Sequence, residues 1–144
     1  MIIEHEELAT LVPHKNKMFI IDRITDADAN NWSIQSETKI TENFMFFDTS
    51  INAVPNYACF EIIAQTISAL TGLYARENNL PPNMGFILSV SNLSFSFDDI
   101  KPGQTVTAKA VRESAVDNVY SFVSYISPNI SYIIAYKLFF VNRL

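Results

Sequence analysis

One carboxylate in this sequence stands where carboxylates are costly. Glu61 lies between Phe60 and Ile62, within Val54 to Arg76, a stretch that is nearly all apolar. In such surroundings a carboxylate must be hydrogen-bonded, paired or protonated. An apolar setting that favours the protonated form suits a general acid. Gln65 follows four residues on, so it shares a helical face with Glu61 and can orient it or tie down a loop. The bland reading of Glu61 is a structural acid bonded to backbone or to Gln65. An unperturbed imidazole has a pKa of about 6.5, which lets a histidine act as a base near neutral pH. His14, in Pro13-His14-Lys15, is either a base or a turn residue anchoring the strand that follows. His5 sits between Glu4 and Glu6 and reads as solvated. Asp48 reads as a surface-loop acid. Cys59, on the apolar stretch, reads as a small core residue rather than a nucleophile.

The elements that must position these groups follow from periodicity. Pro55 sits at a helix start, where its missing N–H is tolerated. Asn79, Pro81 and Pro82 stop the pattern, which predicts one helix over Asn56 to Glu77. A short amphipathic helix is expected over Glu4 to Leu11 and an apolar strand over Met18 to Ile24. A turn at Asp26, Asp28, Asn30 and Asn31 follows. Trp32, Ile34, Thr38 and Ile40 alternate with Gln35, Glu37 and Lys39, the mark of a half-buried strand. Thr41 to Val54 is irregular; its Phe44, Phe46 and Phe47 read as core or as the lining of an acyl or aryl tunnel. Strands are expected over Gly85 to Phe97, Gln104 to Arg112, Val119 to Ile126 and Ser131 to Asn142. Turns fall at Asp98 to Gly103, Asp117-Asn118 and Ser127-Pro128-Asn129. One long helix and five or six strands predict an α+β fold, an antiparallel sheet curled around the helix.

Composition narrows the chemistry. The 144 residues suit a single domain with a real core; 49% are apolar and 17% charged. A net charge of −5 argues against nucleic-acid binding. No GxGxxG or GxxxxGK[ST] loop and no Gly-X-Ser-X-Gly elbow occurs. Two histidines and one cysteine, widely spaced, do not make a metal site. No cofactor and no metal is expected, and a lone cysteine allows no internal disulfide. The apolar run Tyr132 to Val141 is broken by Lys137 and too short to span a membrane. The acidic start, Glu4, Glu6 and Glu7, lacks a basic leader, so a cytoplasmic protein is expected. Lys15, Lys17, Arg76 and Lys101 are too scattered to define a docking patch.

Three blocks, in order and spacing, resemble one family. Leu11-Val12-Pro13-His14-Lys15, followed by Met18 to Arg23, is similar to the LPH…LLDR opening of the beta-hydroxyacyl-(acyl carrier protein) dehydratases. Pro55, Glu61, Ala64 and Gln65 match their P…E…AQ helix motif. Asp99-Ile100-Lys101-Pro102-Gly103-Gln104 resembles their P…PGD loop. The resemblance implies a hotdog fold, a homodimer whose sheets join, and acyl thioesters of acyl carrier protein or coenzyme A as ligands. It is nearest to the branch of the aryl polyene pigment pathways. The family's HFPG histidine is absent: an ungapped count from Glu61 puts Phe47 there, and Asn56 replaces the glycine after the motif proline. The implied reaction is dehydration of a 3-hydroxyacyl thioester in fatty-acid or polyene-type biosynthesis. Glu61 is then the acid, and His14, which survives in the PH block, the base. Amides near Asn56 and Tyr57 hold the thioester oxygen. Phe47, Pro55, Asn56, Tyr57 and Gln65 are the substrate-side candidates. Two alternatives stand beside it: a thioesterase with Glu61 activating water, and a non-catalytic acyl-binding subunit paired with an active homologue.

Overall fold

The long helix forms where the apolar stretch and its flanks require it. A computed structural model describes residues 1–13, 18–81, 84–91, 98–117, 119–128 and 134–143. Pro55 is the last extended residue (φ −57°, ψ 139°) before a 3-10 turn, Asn56–Ala58. The turn runs directly into α2, Cys59–Glu77; α1 is the short helix His5–Leu8. Asn79 ends α2 in the left-handed conformation, φ 52°, which asparagine tolerates better than most residues. The Leu80 N–H then donates back to the Ala75 carbonyl at 2.8 Å, satisfying an end carbonyl of the helix.

The strands are β1 Arg23–Asp28, β2 Ser33–Lys39, β3 Met84–Ser91, β4 Thr105–Val116, β5 Val119–Pro128 and β6 Ile134–Arg143. Among the described residues they form one antiparallel sheet, in the order β1-β2-β4-β5-β6-β3. This is the hotdog arrangement, with α2 packed on β2, β4 and β5. The face toward α2 carries Ile34 and Ser36 from β2, Ala108 and Ala110 from β4, and Phe122 and Ile126 from β5, all buried. The alanines at the centre let the helix lie close; Ile62, Ile63, Ile67, Leu70 and Leu73 fill the space above them. Ser36 Oγ meets Thr66 Oγ1 at 2.7 Å, and the Thr66 hydroxyl donates to the Ile62 carbonyl. By length and composition Asn56–Glu77 is apolar enough to cross a membrane, yet 67% of that window is buried inside the fold. It is the core helix. Gly72 lets the N-terminal segment cross it: a Cβ there would collide with the Leu11 carbonyl oxygen.

Several boundaries differ from expectation. The apolar run from Met18 is not strand at its start, and β1 begins only at Arg23. The reason is that the backbone of Met18 and Ile20 bonds to a side chain of α2 instead of to a neighbouring strand. Asp26 and Asp28 lie within β1, with a register shift between Ile24 and Asp26. The turn itself is short, and Asp28 braces it by accepting from the Asn31 N–H at 3.1 Å and its Nδ2 at 2.7 Å. Trp32 closes the turn with φ 52°, an unusual conformation for a bulky residue. Its ring is buried against Tyr74 at 4.5 Å and Tyr120 at 5.0 Å, with the Arg112 guanidinium 4.7 Å above it. Strand β5 continues through Ser127-Pro128, where a turn was expected. The expected alternation Asn92 to Phe97 lies outside the described residues, as do Asn118 and Asn129.

Candidate active site

Glu61 sits in the first turn of α2. It is half-buried rather than enclosed, which corrects the expectation of a fully buried acid. Its Oε1 accepts from Gln65 Nε2 at 3.2 Å. Gln65 is fully buried and bonded on all sides. Its Nε2 also donates to the Met18 carbonyl at 2.7 Å, and its Oε1 accepts the Ile20 N–H at 3.0 Å. A single amide therefore fixes the acid and straps the segment before β1 onto the helix. Both Gln65 N–H donors are used by protein, so the side chain orients Glu61 and has no N–H left for a ligand. Beside this strap lies an open groove with a cavity volume of about 390 Å³, lined by Phe19, Ile20, Phe44 and Met45 and equally by the polar residues Asp22, Lys39, Thr41 and Asn43.

The helix start is built from two distant segments. Val54 and Ile100 exchange backbone hydrogen bonds of 2.8 and 2.7 Å, which bring the 98–103 loop against the first turn. Asp99 Oδ1 there accepts the Asn56 N–H at 3.2 Å. The Asn56 amide, expected to be open to a thioester oxygen, is thus taken by a carboxylate. The Tyr57 amide comes next, in the part of a helix where no earlier carbonyl lies in reach. The Tyr57 side chain is 69% exposed. Pro55 is buried.

The other candidates are placed as follows. Phe47 is half-buried and packs on the core beside Phe44 and Phe46, whose rings lie 6.1 Å apart. Asp48 holds its own turn: Oδ1 accepts the Ser50 N–H at 2.8 Å and its hydroxyl at 2.6 Å. The Ser50 hydroxyl, then the Ser50 N–H, keep that carboxyl below its ordinary pKa. Cys59 is buried, and burial pushes its thiol up to about 12. His5, expected to be merely solvated, stacks on Phe19 at 4.7 Å. His14 lies outside the described residues; of its flanks, Leu11 contacts Gly72 of α2 and Met18 bonds to Gln65. Among the described residues no cluster of His, Cys, Asp or Glu suits a metal ion.

The family model described as ApeP-like, ApeP dehydratase, matches residues 6–138. The chain belongs to the ApeP-like dehydratase family. It is also similar to the 3-hydroxyacyl-(acyl carrier protein) dehydratase FabZ of Chlamydia trachomatis serovar L2, 26% identical over 108 residues, 73% of this chain and 69% of that protein. Among solved structures, the dehydratase heterocomplex ApeI:P from Xenorhabdus doucetiae superposes with a TM-score of 0.85 at 13% identity, covering 95% of this chain and 91% of that one. A hypothetical thioesterase with coenzyme A from Streptococcus pneumoniae shares the fold at a TM-score of 0.61 and 10% identity, covering 83% and 84%. Within this ApeP-like chain, helical spacing anticipated the contact between Glu61 and Gln65. It missed Asp99, which meets the helix start across 43 residues of chain, and the His5–Phe19 stack. No local pattern marks either contact. The resemblance of Asp99 to Gln104 to a family loop was the one available hint.

Proposed function

We propose that this ApeP-like protein dehydrates 3-hydroxyacyl thioesters, carried by acyl carrier protein or coenzyme A, to 2-enoyl thioesters. The observation that carries the reading is a half-buried glutamate, held by a fully bonded glutamine, on the core helix of a dehydratase-family hotdog fold. His14 takes the proton from C2. The electron pair of that C–H bond becomes the C2–C3 double bond. Glu61 gives its proton to the C3 hydroxyl, which leaves as water. The thioester bond stays intact and no redox change occurs. The carbonyl oxygen gains negative charge on the way, and the first-turn amide of Tyr57 is the donor proposed for it, the Asn56 amide being bonded to Asp99. Gln65 is the positioning residue, and Phe47, Pro55 and the groove beside Phe44 shape the acyl site. The match over residues 6–138 supports one domain working as a unit.

A second reading has its own support. An ungapped count from Glu61 puts Phe47 where the main dehydratase motif has its histidine, and the Xenorhabdus structure is a heterocomplex. On this reading the chain pairs with a homologous subunit that supplies missing chemistry, where the first reading expects a homodimer with joined sheets. β3 is an outer strand of the sheet, and an exposed strand edge invites pairing with another chain. Mass spectrometry of a 3-hydroxyacyl carrier substrate tests the reaction: loss of water with the thioester retained is dehydration, whereas release of a free thiol is hydrolysis. Glu61→Gln keeps size and hydrogen bonds, so it should melt with the parent while losing about 10²-fold or more in rate. A variant that melts early yet dehydrates normally would make Glu61 structural.

A further inference from the structure

The backbone around Phe19 is held on both sides. The Met18 carbonyl before it accepts from Gln65 Nε2 at 2.7 Å, and the Ile20 N–H after it donates to Gln65 Oε1 at 3.0 Å. Those two peptide groups flank the Phe19 Cα, so one side-chain amide fixes both of its backbone dihedrals. Only the side-chain torsions stay free. The Phe19 ring stacks on His5, with centroids 4.7 Å apart and planes inclined by 20°. Phe19 also lines the groove beside the Glu61–Gln65 pair, where it and Phe44 are the largest apolar side chains. We propose that His5 is a positioning residue: it braces the Phe19 ring as a fixed wall of the groove, and so makes the site select unbranched over branched 3-hydroxyacyl chains. The inference rests on the dehydratase reading and adds a substrate preference to it.

The brace holds because α1 is itself fixed. Ile3, two residues before His5, exchanges backbone bonds of 3.0 and 2.9 Å with Ile24, and Leu8 is fully buried in the core. The ion pairs Glu7–Arg76 and Glu4–Arg23 join exposed side chains and add little. A ring that cannot move with its backbone yields to a bulkier ligand only by turning about its own side-chain bonds, and the imidazole blocks that turn on the stacked side. His5 itself stands outside the groove lining, so it acts through Phe19 alone. The groove volume, about 390 Å³, lies near the low end for small-molecule sites, so the position of one phenyl ring matters. One methylene more or less in a hydrophobic pocket changes discrimination by about tenfold or more. This groove is open and half polar, which brings the expected figure down to about fivefold.

The test measures kcat/KM for 3-hydroxyhexanoyl and 3-hydroxy-5-methylhexanoyl coenzyme A, which differ by one branching methyl group. The straight-over-branched ratio should fall about fivefold in His5→Ala, chiefly through KM for the branched probe, and return toward the parent's in His5→Phe, which restores a stacking ring. Phe19→Ala, which removes the wall, should lower the ratio at least as far. Proton NMR supplies a readout independent of turnover. The chain has two histidines, and the His5 ring protons should lie upfield under the Phe19 ring current and move downfield in Phe19→Leu. If the parent dehydrates the straight-chain probe and His5→Ala leaves the ratio unchanged, or the His5 protons ignore Phe19→Leu, the brace is wrong while the dehydratase reading stands. A change of ratio that His5→Phe does not reverse overturns the brace as well, since it makes His5 merely structural. If the parent does not dehydrate the straight-chain probe, the dehydratase reading fails and takes the preference with it.

Discussion

Replacing Gln65 by methionine nearly preserves volume while removing every polar side-chain atom from the centre of the site. Three hydrogen bonds vanish: those to the Ile20 N–H, the Met18 carbonyl and Glu61. Their costs differ because their surroundings do. The Ile20 amide is buried and would be stranded, at about 2 kcal/mol. Met18 is 52% exposed, so its carbonyl recovers water and the loss is nearer about 1 kcal/mol. Glu61 is half-buried and also regains some hydration, again about 1 kcal/mol. Methionine offsets roughly 1 kcal/mol of this through its own apolar burial. The net is about 3 kcal/mol, or roughly 9 °C in melting temperature for a chain of this size. Glu61 would lose its orientation as well, so kcat should fall about tenfold or more. Thermal melts followed by circular dichroism, with rates measured on the same preparation below the lower melting point, check both. If Gln65→Met melts within about 2 °C of the parent and keeps its kcat, the strap is neither structural nor positioning.

Gly72→Ala should destabilise by about 2–3 kcal/mol, because its Cβ meets a backbone oxygen of Leu11 that has no rotamer to escape by; an unchanged urea midpoint would show that the crossing segment yields freely. Cys59, its thiol raised by burial from 9.0 to about 12, should resist iodoacetamide at pH 8 until the chain unfolds. The sign of its pH effect follows from linkage: the unfolded thiol ionises first, so stability from this group is complete below pH 9.0 and is lost toward about 12. The slope in that window is about 1.4 kcal/mol per pH unit at most, and denaturant titrations of parent and Cys59→Ala at pH 8 and 10.5 should diverge accordingly.

Most of the architecture was legible because burial leaves a period in the sequence. The apolar stretch with Pro55 before it could only be a core helix, and the alternation in Trp32 to Ile40 could only be a strand with one wet face. The start of β1 was misjudged for a physical reason: Met18 to Ile20 is as apolar as a strand, but its backbone partners are the two ends of one side-chain amide. At the candidate site, Glu61 and Gln65 were found because helical spacing relates them locally. Asp99 could not be found that way, since its contact depends on how the loop before β4 lies across the helix start. Asp48 reads from sequence as a surface-loop acid, and in the fold its Oδ1 holds its own turn through the Ser50 N–H and hydroxyl.

Trp32 is the chain's single tryptophan, and it lies where β2, the last turns of α2 and β5 meet. With tyrosine rings 4.5 and 5.0 Å away, light absorbed by either tyrosine is passed on to the indole. Its emission therefore reports whether three segments distant in sequence are assembled. Glu61 lies thirteen residues before Tyr74 on the same helix, about 20 Å along the axis. An acyl ligand can occupy that end without touching the fluorophore, so the molecule carries an optical gauge of its folding that is spatially separate from its chemistry.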